Sequence, residues 1–147
     1  MHNSEAEELF SKGLEALQRD DTVGALSWFE KSLERDYSPS SLSCFAFCIA
    51  RQRGQYKKAI SLCQEAIQKD PDNSLHYLNL GKVYLLDRNR SDAITIFREG
   101  MSRERNAQIV QELERLGTRK PPVIPFLSRN NPLNKYLGII LRKLRIR

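Results

Sequence analysis

The chain has 147 residues, 40% of them hydrophobic and 29% charged, which is one domain's worth of sequence with enough apolar side chain for a core. No apolar stretch approaches the ~18 residues that a membrane-spanning helix requires. The formal charge of +6 is unevenly placed: residues 117–147 carry 8 Lys and Arg and no Asp or Glu, whereas the first 116 carry 16 against 18, so the basic character belongs to a terminal interaction segment. An acidic start, MHNSEAEELF, lacks the basic-then-apolar order of an export signal, and an odd count of three cysteines argues against a disulfide framework; both lead to the expectation of a cytoplasmic protein with reduced thiols.

Taken in chain order, Ser4 and Glu7 have capping-box spacing and predict the start of a helix that runs to about Arg19. Asp20, Asp21 and Thr22 supply a turn and a cap, after which Ala25, Leu26, Phe29 and Leu33 fall on one helical face. Ser38 followed by Pro39 marks the next start, where the missing proline amide costs nothing, and Gly54 stops that helix. Ala59, Ile60, Cys63 and Ala66 form the inner face of the next, which Pro71 closes. Asn73 to Gly100 holds two further short helices, and Asn106 to Leu116 carries Ile109, Val110, Leu113 and Leu116 on one stripe. Thr118 to Asn131 contains three prolines and is expected to be extended. Pro132 to Arg147 is predicted as a basic amphipathic helix, with Leu133, Tyr136, Leu137, Ile140, Leu141 and Leu144 on one side and Lys135, Arg142 and Arg145 on the other.

A shift of 34 residues superposes Gly13, Phe47 and Gly81, then Ala25, Ala59 and Ala93, then Leu26, Ile60 and Ile94, then Phe29, Cys63 and Phe97, without insertion or deletion. The third copy holds Tyr77, Leu80, Gly81 and Tyr84 on its first helix and Ala93, Phe97 and Gly100 on its second. This helix-turn-helix unit resembles the tetratricopeptide repeat over roughly the first 105 residues. The resemblance implies an all-α fold, a right-handed superhelical array of three hairpins with a capping helix over residues 4–117; the residues beyond it are read from their own pattern as a proline-containing linker (118–131) and a C-terminal basic amphipathic helix (132–147). The second copy departs from the pattern, with Phe47 in place of glycine and Ala50 in place of Tyr84; the first has Ala16 at that last position.

Within that family the first helices of successive units line a concave groove. Carried over by register, the groove positions here are Phe10 and Leu14, then Cys44, Cys48 and Arg51, then Leu78, Lys82 and Leu85. One version of the family clamps a terminal carboxylate with lysine, asparagine and arginine; at the matching sites this chain has Phe10, Leu14, Phe45, Leu75 and Asn79, so that mode of recognition is not implied. A mostly apolar groove with Arg51 and Lys82 on it suits an amphipathic helix or an extended apolar peptide.

The expected function is therefore a non-enzymatic scaffold or chaperone-like adaptor that binds a protein or peptide partner. The chain's own tail is a candidate occupant, since fourteen extended residues span about 45 Å and bring Val123, Ile124, Pro125, Phe126 and Leu127 within reach. The basic helix is a second docking element through Phe126, Leu133, Tyr136, Leu137, Ile140, Leu141, Leu144, Arg142, Lys143 and Arg145. The rival reading is a peripheral membrane factor at the inner face, or an RNA- or ribosome-associated factor, acting through that tail; few aromatics are available there for interfacial anchoring or base stacking. No phosphate-binding loop, nucleophile elbow or zinc-helix motif is present, and no catalytic residue, cofactor or metal is expected. Cys44, Cys48 and Cys63 lack a suitably spaced fourth ligand and read as small core residues.

Overall fold

The computed structural model describes residues 2–117, all helix and connecting turn. Three hairpins are formed by α1 (His2–Gln18) with α2 (Thr22–Arg35), α3 (Pro39–Arg53) with α4 (Tyr56–Lys69), and α5 (Ser74–Leu86) with α6 (Arg90–Arg103); a short α7 (Ala107–Arg115) follows. Each helix packs against its hairpin partner, α2 packs on α3, α5 packs on both α3 and α4, and α7 lies on α6. Met1–Leu116 form one compact unit. Among the described residues no helix is long and apolar enough to cross a membrane.

The helix boundaries follow from local chemistry. Asp21 accepts a hydrogen bond from the Gly24 amide, 2.8 Å, and caps α2; Ser38 does the same for the Ser41 amide at 3.2 Å, with Pro39 in the first turn of α3. Gly54 ends α3 in the left-handed region, φ 64°, its amide donating to the Ala50 carbonyl. Asn106 caps α7 by accepting from the amides of Gln108 and Ile109, 2.9 and 3.2 Å. One expected cap is corrected: α1 begins at His2, so Ser4 and Glu7 are exposed residues inside the helix and form no capping box. Serine costs a helix interior only a few tenths of a kcal/mol, so the backbone runs through it.

The hairpins close because small residues sit where the helices approach. A side chain added at Gly13 would run into the Phe29 ring, and one at Gly81 into the Phe97 ring; Phe29 and Phe97 are fully buried. In the second hairpin the volumes at the matching positions are exchanged. Phe47 stands on the first helix and Cys63 on the second, both buried in the same apolar cluster, so the large-for-small departure is compensated within its own repeat. A second cluster, Tyr77, Leu78, Ala93, Phe97 and Ile109, joins α7 to the third hairpin. Gly100 lets α6 approach both, since a Cβ there would crowd Tyr77 and Ile109.

Candidate functional site: the first-helix face and a buried polar relay

The residues that the 34-residue register assigns to the groove do not share one environment. Phe10 and Leu14, one turn apart on α1, are half-buried against the core, the Phe10 ring lying 5.7 Å from that of Phe29. Arg51 of α3 is exposed and donates to Asp20 in the α1–α2 turn, 2.8 Å. Lys82 is half-buried with its ammonium 5.2 Å from the centre of the Phe47 ring, a cation–π contact. Desolvation lowers the pKa of Lys82, with the carboxylate of Glu112 acting in the opposite direction. Leu85 is half-buried beside the second cluster.

Cys44, Cys48 and Leu78 are a correction to the groove as drawn from register. They are 1%, 0% and 2% exposed and belong to the core clusters, so they support the face from within and offer no surface to a partner. Burial pushes the thiols of Cys44 and Cys48 up to about 12 and raises that of Cys63 further, so all three stay protonated and unreactive near neutral pH. This fits the reading of small core residues.

Between the second and third hairpins lies an arrangement that sequence reasoning missed. His76 and Ser43 are both 0% exposed, and the serine hydroxyl lies 2.9 Å from His76 Nδ1. On the other side of the ring Nε2 is 3.1 Å from Asp70 Oδ2, which also accepts from Asn73 Nδ2 at 3.1 Å. Asn79 Nδ2 donates to Ser43 Oγ, 3.1 Å, and to Cys44 Sγ, 3.5 Å. An ionised Asp70 can only accept, so Nε2 carries the proton and Nδ1 of the neutral ring accepts from Ser43. The residue types are those of a hydrolase triad, but a serine and an imidazole with no exposure cannot meet a substrate. The available signal was positional: His76 stands 34 residues after Leu42, a buried apolar side chain, and a polar residue at a core position of a repeat needs partners.

On the side of the second helices a cleft of about 300 Å³ opens between Ile67 of α4, Tyr77, Leu80 and Tyr84 of α5, and Ile96 of α6. The residues assigned to tail docking, Phe126, Leu133, Tyr136, Leu137, Ile140, Leu141, Arg142, Lys143, Leu144 and Arg145, together with the 118–131 linker, lie outside the described residues.

A family model described as tetratricopeptide repeat matches residues 50–116. Among curated protein sequences none matches. Solved structures with similar folds include the Arabidopsis OM64 TPR domain (TM-score 0.64, 18% identity, covering 80% of this chain and 98% of that one). The TPR2B domain of yeast Sti1 in its pHsp70 complex is another (0.62, 20%, 77% and 93%). A third is the Sgt2 TPR domain from Aspergillus fumigatus (0.59, 20%, 86% and 92%). Helix order and glycine-to-phenylalanine packing agree with these matches: the described residues have the fold of a tetratricopeptide-repeat array, three hairpins closed by α7, and residues 50–116 match that family's model.

Proposed function

We propose that the array is a non-catalytic adaptor that holds an amphipathic helix or an extended apolar peptide of a partner protein along the face of its first helices. The observation that carries this reading is that the first helices keep half-buried apolar side chains, Phe10, Leu14 and Leu85, and also carry the cations of Arg51 and Lys82. Half-exposed apolar groups next to a fixed charge supply both area and orientation to a bound segment. The fold class supports a peptide partner, since the yeast Sti1 domain of similar fold was solved in a complex with pHsp70. The chemistry of the partner differs from a carboxylate-terminated tail, because Phe10, Leu14, Phe45 and Leu75 are apolar and Asn79 is committed to Ser43 and Cys44.

Selection of random peptides on the full chain tests this. The expected result is enrichment of peptides with apolar residues at helical or alternating spacing, whose binding raises amide protection in α1, α3 and α5 and falls at least tenfold in Leu14→Glu and Leu85→Glu. Loss of one well-packed anchor is worth about 1.4 kcal/mol or more, which sets that tenfold. Peptides that protect α2, α4 and α6, or that bind both variants unchanged, would move the site to the second-helix cleft.

A further inference from the structure

We infer that His76 makes the joint between the second and third repeats pH-sensitive, so that acidification loosens the packing of α5 on α3. This property belongs to the array itself and does not depend on what its surface binds.

The geometry carries it. His76 is on the first turn of α5, fully enclosed, and its two ring nitrogens bridge elements distant in sequence: Ser43 on α3 and Asp70 in the turn after α4. The other groups around this joint do not supply a compensating negative charge. From α3 come the Ser43 hydroxyl and the Cys44 thiol, the latter reached through Asn79; from α4 comes the Cys63 thiol, 4.0 Å from the Ser43 carbonyl oxygen. The charges nearest to the end of α6 are engaged elsewhere, Glu104 with Ser74 at 2.9 Å and Arg103 with Asp72 at 3.8 Å. Asp70 is thus the counter-ion, and its side chain is 43% exposed, which weakens its hold on a buried charge.

Protonation changes the network in a defined way. The neutral ring accepts the Ser43 proton at Nδ1. A protonated ring donates from both nitrogens, so the Ser43 hydroxyl must turn its proton to the Ser40 carbonyl, a longer contact of 3.4 Å, while continuing to accept from Asn79. The new charge also sits in the repeat interface, on a side chain with no solvent exposure. Desolvation lowers the pKa of His76, and the hydrogen bond and charge of Asp70 only partly oppose it.

The direction follows from linkage. In the unfolded chain the imidazole takes a proton as pH falls through about 6.5, whereas the folded chain resists it. Stability is unaffected well above that value and declines as pH falls below it, until the folded histidine also titrates. Asp70 acts in a separate, more acidic window. Its pKa is lowered by the hydrogen bonds from His76 and Asn73, so the stability it contributes is lost only below the ordinary carboxylate range.

Two measurements on the full chain test the inference. The first follows the imidazole resonances with pH; the chain holds only two histidines, and His2→Ala identifies the pair. The expected result is that His76 titrates below the ordinary histidine value of about 6.5. Amide exchange in α3 and α5, corrected for its intrinsic pH dependence, should then accelerate by up to tenfold per pH unit below about 6.5. Titration of His76 at or above about 6.5, or pH-independent opening of α3 and α5, overturns it. The second compares urea midpoints at pH 7.5 and 5.5 for the wild-type chain and His76→Gln, which keeps an amide for hydrogen bonding and does not titrate. A fall in the wild type that disappears in the variant supports the joint; an equal fall in both overturns it. If His76→Gln does not fold, the resonance titration decides alone.

Discussion

Asp20, Gly54 and Arg88 stand 34 residues apart at the turn within each hairpin, and all three have positive φ, 58°, 64° and 59°. Only glycine adopts that region freely; another L-residue is strained there by about 1 kcal/mol. Gly54 was therefore legible as a helix stop, while Asp20 and Arg88 were legible only through the register. Asp20 has a compensating role, since its carboxylate accepts from Arg51. Arg88 is exposed, and Arg88→Gly is expected to raise the urea midpoint, with a net gain of roughly 0.5 kcal/mol after the added freedom of the unfolded chain is subtracted. Gly54→Ala should lower it by about 1 kcal/mol. An unchanged or lower midpoint for Arg88→Gly would show that the turn is held by contacts strong enough to erase the backbone preference.

At the scale of elements, α7 depends on its cap more than the other helices do. It has nine residues, too few to be stable in isolation, and is anchored by Ile109 in the core and by Asn106. That one side chain accepts from two amides of the first turn and donates through Nδ2 to Ser74 Oγ, 2.9 Å, which in turn donates to Glu104. Asn106→Ala is expected to cost about 1–2 kcal/mol, read as a lower urea midpoint and as early amide exchange confined to α7. Exchange that stays as slow as in the wild type would mean that Ile109 alone holds the helix. The stripe of α7 and its start at Asn106 were readable locally, because capping and amphipathic spacing act within a few residues. The start of α1 was misread for the same reason: a capping-box pattern shows that a helix can begin at Ser4, and no local rule prevents it from beginning earlier.

For the whole molecule, stability should be a sum of hairpins and the interfaces between neighbours. The compact unit ends at Leu116, and we expect a chain ended at Gly117 to remain helical and to unfold cooperatively, checked by circular dichroism through a urea titration. A truncation that keeps its helicity but loses its cooperative transition would show that residues 118–147 complete the core. Amide exchange compared between the two chains also asks whether α1, α3 and α5 are protected by the tail, as the hypothesis of a tail bound in cis requires. The repeat architecture was open to reading because each 34-residue unit carries its own turn residues, small contact positions and apolar stripes, all determined by neighbours a few positions away. Burial across repeats was not. Register put Cys44, Cys48 and Leu78 on a groove, and the packing of α5 against α3 and α4 enclosed them. His76 meets Ser43 across a separation of 33 residues, a pairing that exists only after two hairpins have stacked. Whether a polar side chain faces water or a partner depends on which surfaces the stacked helices exclude from solvent, a property of the assembled array and of no single stretch of chain.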